Sequence, residues 1–162
     1  DLGTGSGCLL VTLLAEWPEA TGTGVDISDD ALTVARANAE AHGVAGRVHL
    51  QQANWLERTS GSFDLIVSNP PYLSEAELAD VSPEVREYEP CSALVSGPEG
   101  LEAYRAIAAD AGRVLAPGGL LMLELGAMQS EPVAALIAEA GWNMRALIPD
   151  FDHRPRVIVA AR

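Results

Sequence analysis

A chain of 162 residues, 48% apolar and 20% charged, has the composition of a globular domain and is long enough to bury a full core. Ten Lys and Arg against 23 Asp and Glu leave a net charge of −13, with no basic cluster beyond Arg154-Pro155-Arg156, which counts against a nucleic-acid partner. No apolar run reaches the roughly 18 residues of a membrane span, and no signal-peptide pattern is present, so the expectation is a cytoplasmic protein with no membrane partner.

The chain opens on Asp1-Leu2-Gly3-Thr4-Gly5-Ser6-Gly7 and runs into an apolar stretch, Cys8 to Trp17, suited to a buried helix. Alternate glycines let a backbone turn sharply and approach a ligand, and the following helix points its first amides at that ligand. Thr21 to Asp26 reads as a strand ending in an acid. Ser28 is placed to cap a helix that reaches about His42 and ends at Gly43. Arg47 to Gln51 predicts a further strand, with Ala53 to Leu56 as its exit loop, and Phe63 to Ser68 another. Residues 73–100 are acidic and punctuated by proline, the pattern of an irregular lid. A helix follows over 101–115, a turn at Ala116-Pro117-Gly118-Gly119, and a strand from Leu120 to Leu125. A helix from Ser130 to Ala140 stops at Gly141, and strands near 143–148 and 156–161 close the sheet. Such alternation predicts an α/β domain, 1–162, with a mostly parallel sheet and helices on both faces.

Two segments carry chemistry. The glycine loop has the spacing G-x-G-x-G rather than the dinucleotide pattern G-x-G-x-x-G, which points to a nucleoside-type cofactor over a nicotinamide one. Asp26, 19 residues past Gly7, stands where a doubly wound fold places the carboxylate that accepts from ribose hydroxyls. Trp55, just after the strand at 47–51, would flank the cofactor base or pack half-buried under the lid. The second segment is Asn69-Pro70-Pro71-Tyr72, at the carboxyl end of a strand. The Asn69 amide oxygen and the Pro70 carbonyl are two acceptors on a loop stiffened by proline. Together they can take both hydrogens of a planar –NH₂ group, with the Tyr72 ring against it. A Pro-Pro turn with Tyr72 as packing satisfies the same pattern. Cys8, Cys91, His42, His49 and His153 are scattered, so no metal is assigned.

The glycine loop, Val25-Asp26, Asn54-Trp55, Val67 to Tyr72, Tyr88-Glu89-Pro90, Ala93 to Leu101 and Pro117-Gly118-Gly119 with Glu124-Leu125-Gly126…Gln129 together resemble the HemK/PrmC release-factor glutamine methyltransferases, in order and over nearly the whole chain. The resemblance implies a Rossmann-like class I methyltransferase fold, with seven strands in the order 3-2-1-4-5-7-6 and the last antiparallel. It implies S-adenosylmethionine as cofactor, held by Asp1, Gly3, Thr4, Gly5, Ser6, Gly7, Asp26, Ile27, Asn54, Trp55 and Asn69. Asn69, Pro70 and Tyr72 would be catalytic, and Asn69, Pro70, Pro71 and Tyr72 would bind substrate. The implied substrate is a peptide-chain release factor, methylated on the glutamine of its Gly-Gly-Gln motif in the service of translation termination. Glu89, in the shared lid segment, would orient it or stand as a plain solvated acid. Where the family carries Asp-Trp this chain has Asn54-Trp55, which bears on cofactor affinity. The family's small helical N-terminal domain has no counterpart here, so the expectation is a truncated catalytic domain. Asn-Pro-Pro-Tyr also occurs in enzymes that methylate adenine N6 or guanine N2, and that is the alternative. A dinucleotide-dependent oxidoreductase and a binding-only domain that keeps the cofactor fold fit the sequence less well.

Overall fold

The computed structural model describes the backbone of residues 1–162 and every side chain except that of Arg86. It divides into two compact units, Asp1–Gly61 and Ser62–Arg162.

The first unit holds α1 (Cys8–Glu16), β1 (Gly22–Asp26), α2 (Asp29–Ala41) and β2 (Val48–Gln52). β1 and β2 run parallel, with Gly22 opposite Val48 and Asp26 opposite Gln52. The helices bury one stripe each. Leu10, Val11 and Leu14 from α1 meet Ala39 and Val44, with Ala20, Val48 and Leu50 packed against them. Each fully buried Leu or Val among them contributes about 1.5–3 kcal/mol. α2 is capped by Ser28, whose hydroxyl accepts from the Ala31 amide at 3.2 Å. It stops before Gly43 at φ 69°, a left-handed conformation that costs glycine nothing. The end of α1 is closed by Arg47, whose guanidinium donates to the carbonyls of Leu14 (2.6 Å), Ala20 (2.7 Å) and Trp17 (3.1 Å). A cation there also complements the helix dipole.

The second unit contains β3 (Phe63–Ser68), α3 (Pro83–Tyr88), α4 (Cys91–Leu94), α5 (Glu102–Asp110), β4 (Leu115–Glu124), α6 (Ser130–Glu139), β5 (Asn143–Pro149) and β6 (Pro155–Ala161). Its sheet has the order β3-β4-β6-β5. β3 and β4 are parallel, and β6 runs antiparallel to both its neighbours. Tyr104, Ile107 and Ala108 of α5, Val133 and Ile137 of α6, Leu121 and Leu123 of β4 and Ile158 of β6 are all buried. The indole of Trp142 is buried too and donates to the Ala108 carbonyl at 2.8 Å. β5 forms the outer edge and is exposed along its whole length.

Three expectations change. The sheet is not seven strands in one order, for six strands form a two-stranded and a four-stranded sheet. Leu2 makes only an isolated parallel bridge to Val25, because Gly3 at φ 67° turns the backbone out of extended geometry immediately afterwards. Segment 73–100 is not wholly irregular. It contains a 3-10 turn at Glu77–Ala79 and the short helices α3 and α4, the former begun by Ser82 as cap and Pro83 in its first turn. β4 begins at Leu115, before the predicted turn rather than after it: Leu115 pairs Phe63, Leu120 pairs Leu65, and residues 116–119 stand out of the ladder between them as a turn-like excursion with Gly118 at φ 82°. No described helix is long and apolar enough to cross a membrane.

Candidate functional site

In the first unit the glycine loop is tied to the carboxyl end of β1. The Thr4 amide donates to the Val25 carbonyl at 2.9 Å, and the Gly7 amide to the Thr4 carbonyl at 2.8 Å. The Asp1 carboxylate ties the loop to α1, its Oδ2 accepting from the Thr4 hydroxyl at 2.6 Å and the Leu10 amide at 3.3 Å. Asp1 and buried Thr4 therefore brace the turn through Asp1 Oδ2. Asp26 accepts from the Gly5 amide at 2.8 Å through Oδ2 and from the Ser28 amide at 2.9 Å through Oδ1. A carboxylate has about four lone-pair directions, so each oxygen keeps capacity for a further hydroxyl donor.

Trp55 adopts φ 48°, a left-handed conformation that is rare for a bulky residue and costs of order 1–3 kcal/mol. Its ring lies over Gly3, where an added Cβ would stand 3.4 Å from it. At Gly5 such a Cβ would meet nothing within 4 Å, so that stretch of backbone can be approached. Ser6 is exposed, and its carbonyl accepts from Asn38 Nδ2 at 2.8 Å. Ile27 is exposed beyond β1, its carbonyl accepting from Gln52 Nε2 at 3.0 Å. Asn54 is exposed and turns its Nδ2 to Glu57 at 3.1 Å. A nucleoside cofactor needs an acceptor for vicinal hydroxyls, a flat wall for its base and backbone it can approach. Asp26, Trp55 and the Gly3–Gly5 turn meet those needs, so the residues present fit S-adenosylmethionine.

In the second unit β3 delivers the Asn-Pro-Pro-Tyr loop. Ser68 and Pro70 are buried, whereas Asn69 between them is exposed, and Pro71 and Tyr72 are half-buried. Strand alternation accounts for the outward aim of Asn69. The chain beyond is stitched to the segment after α4. Leu73 donates to the Leu94 carbonyl at 2.9 Å and accepts from the Ser96 amide at 2.8 Å, and the Glu75 amide reaches the Gly97 carbonyl at 3.1 Å. Buried Ser96 in turn caps α5, its hydroxyl accepting from the Ala103 amide at 2.7 Å. Glu89 is exposed and closes α3, its amide donating to the Val85 carbonyl at 3.0 Å.

Sequence reasoning gave no role to two residues behind this loop. Gln129 Nε2 donates to the Tyr72 carbonyl at 2.7 Å. The Tyr104 hydroxyl donates to the Glu124 carbonyl at 2.9 Å, and burial pushes that phenol well above its ordinary range, so it stays a neutral donor. The only advance signal was the Gly126…Gln129 spacing.

The family model described as "Methyltransferase small domain" matches residues 1–84, more than half of the chain. This chain belongs to that family. The domain is 50% identical over 160 residues to a protein named release factor glutamine methyltransferase from Cereibacter sphaeroides, covering 99% of this chain and 58% of that protein. A protein of the same name from Nitratidesulfovibrio vulgaris is 46% identical, with coverage of 100% and 56%. The domain thus spans rather more than half the length of these relatives. Among solved structures it is similar to a ribosomal protein L11 methylase from Lactobacillus delbrueckii subsp. bulgaricus, at a TM-score of 0.74 and 20% identity, covering all of this chain and 68% of that one. TrmN from Thermus thermophilus gives a TM-score of 0.69 at 22% identity, covering 100% of this chain and 42% of that one. At those identities the likeness concerns the fold, which is the Rossmann-like fold of class I methyltransferases.

Proposed function

We propose that the domain transfers a methyl group from S-adenosylmethionine to the side-chain amide nitrogen of the glutamine in the Gly-Gly-Gln motif of a peptide-chain release factor. The observation that carries this reading is Asn69, exposed between buried Ser68 and Pro70 at the carboxyl end of a parallel strand. The names of the relatives supply the substrate class.

When bound, S-adenosylmethionine supplies an electrophilic sulfonium methyl and leaves as the neutral thioether S-adenosylhomocysteine. The protein's task is positioning and electrostatics. A carboxamide nitrogen is a weak nucleophile because its lone pair is shared with the carbonyl. Asn69 Oδ1 and the Pro70 carbonyl would accept its two hydrogens and orient its lone pair for attack on the methyl group. Both acceptors stabilise the positive charge that grows on nitrogen as the N–C bond forms and the S–C bond breaks, so they favour the transition state over the ground state. One proton then leaves the nitrogen for solvent, and a dedicated base is not required. Tyr72 would cover the amide and exclude water. Asp26 would accept from the ribose hydroxyls, Trp55 would wall the adenine, and the backbone of Gly3 to Gly7 would meet the polar end of the cofactor. Asp1, Thr4 and Ser6 would shape that turn, and Ile27 and Asn54 would border the adenosine.

The test is mass spectrometry of a release factor incubated with the full chain and S-adenosylmethionine. A gain of one methylene mass on the Gly-Gly-Gln glutamine is expected. No gain there, or modification of RNA or DNA with strongly salt-dependent binding, would reject the protein substrate in favour of a nucleobase amine.

A further inference from the structure

Behind the Asn-Pro-Pro-Tyr loop, one half-buried side chain uses its whole hydrogen-bonding capacity on parts of the chain far apart in sequence. Gln129 Nε2 donates to the carbonyls of Tyr72 at 2.7 Å and Gly100 at 3.2 Å. Its Oε1 accepts from the Gly126 amide at 3.2 Å and faces the Tyr104 hydroxyl at 3.3 Å. Tyr104 has one hydrogen, and the Glu124 carbonyl at 2.9 Å is its nearer acceptor, so the Gly126 amide is the firmer partner of Oε1. The orientation of the amide is fixed by polarity, since only an –NH₂ can meet two carbonyls and only an oxygen can meet an amide N–H. The root of the side chain is fixed as well. The Gln129 amide donates to the Gly126 carbonyl at 3.0 Å, and its carbonyl accepts from Val133 at 3.0 Å as α6 begins.

The surroundings leave no slack. A Cβ at Gly126 would lie 2.6 Å from Gln129 Oε1 and 3.2 Å from the Tyr72 ring. One at Gly100 would lie 2.5 Å from the Tyr72 carbonyl oxygen and 3.0 Å from Gln129 Nε2. Both glycines are therefore places where a side chain would push the amide or the loop aside. The loop's other end is held by β3, whose Ser68 pairs with Leu123 of β4. Between the two anchors stand Pro70 and Pro71, each with φ already set by its ring.

We propose that Gln129 is a positioning residue that fixes the exit end of the Asn-Pro-Pro-Tyr loop, so that the Asn69 and Pro70 acceptors are held in place before any acceptor amide arrives. Its catalytic consequence rests on the reading of that loop as the amide-binding one. Gln129 touches neither reactant and acts through the backbone of Tyr72.

The test compares the full chain with Gln129→Met, Gln129→Glu and Tyr104→Phe. Methionine matches the shape of glutamine and makes none of its hydrogen bonds. Ionised glutamate keeps the acceptor toward Gly126 and lacks the donors to Tyr72 and Gly100. Tyr104→Phe keeps Gln129 and its firmer partners, so it should change least. Three quantities are read: amide hydrogen exchange over residues 72–76, calorimetric affinity for S-adenosylmethionine, and steady-state methyl transfer. In both Gln129 variants exchange over 72–76 should quicken about five- to ten-fold while β1 and α1 keep their protection. Cofactor affinity should stay at the wild-type value, and kcat should fall about 10- to 100-fold with KM for the acceptor little changed. Unchanged exchange or unchanged kcat in Gln129→Met overturns the proposal. So does protection lost evenly across β3, β4 and α6, the mark of a merely structural residue. If the loop loosens as expected but the wild-type protein methylates no carboxamide, the anchor stands and only the glutamine-methylation reading falls.

Discussion

Replacing Asp26 by alanine would separate the two tasks its carboxylate is placed to perform. One oxygen holds the Gly5 amide at 2.8 Å in a part-buried bond, and the other holds the exposed Ser28 amide at 2.9 Å. Water can replace the second partner, so the stability cost falls mainly on the first. A hydrogen bond to a charged group is worth about 1.5–3 kcal/mol. A loss near 2 kcal/mol in a domain of this size corresponds to a fall in Tm of about 4–8 °C. The second cost appears only with cofactor, where unpaired ribose hydroxyls should weaken binding by about 1–3 kcal/mol, five- to 150-fold in Kd. Asp26→Asn divides the effects further. Its one oxygen can keep the Gly5 amide, while its –NH₂ can no longer accept. It should recover much of the lost Tm yet still bind S-adenosylmethionine more weakly than wild type. Calorimetric titration beside thermal denaturation reads both quantities. Wild-type affinity in Asp26→Asn would remove Asp26 from the cofactor site and leave it only its role in the loop.

Asn69→Ala should lower kcat by about 100-fold, the scale seen when one preorganised hydrogen-bond donor is removed from an oxyanion hole, with cofactor affinity nearly unchanged in the same titration. The reverse pattern would assign Asn69 to cofactor binding. Gly3→Ala adds a Cβ at φ 67° and 3.4 Å from the Trp55 ring, so it should cost about 1–2 kcal/mol of stability and shift the tryptophan fluorescence. Asp150 accepts from the amides of Arg154 and Asp152, and these with Arg154 and Arg156 nearby hold its carboxyl below the ordinary range. The stability it contributes is therefore present above its unfolded pKa of about 3.9 and lost as pH falls through the lower folded value. Asp150→Asn should flatten that acid limb in a pH series of denaturation curves.

The elements written in local chemistry were legible beforehand. Ser28 does cap α2, Gly43 and Gly141 do follow helix ends, and Phe63 to Ser68 does form the strand that precedes Asn69. Asp26 does stand at the end of β1 beside the glycine loop, though its bonds to Gly5 and Ser28 could not be read from spacing. What failed depended on tertiary context. α3 and α4, at six and four residues, have too few turns to show a period. At 116–119 the turn chemistry of Pro-Gly-Gly is borne out, since these residues stand out of the ladder with Gly118 at φ 82°; what the pattern could not show is that Leu115, before the turn, already pairs with Phe63 of β3. The six strands placed by pattern are the six that form, while their division into a two-stranded and a four-stranded sheet depends on pairing between distant segments. Gln129 was hidden for another reason, since its partner Tyr72 lies 57 residues away and Gly100 lies 29 away, beyond any local pattern.

The outer strand of the four-stranded sheet has a bearing on handling the protein. β5 leaves one row of backbone donors and acceptors unmatched along its rim, with Met144, Leu147 and Ile148 in contact with water. Such a rim is a template for strand-to-strand polymerisation. Three brakes are built in: an irregularity between Met144 and Ala146, the cation Arg145 within it, and Pro149 at the end, which has no N–H to offer. The surplus of 13 negative charges adds a fourth, mutual repulsion, which weakens in concentrated salt.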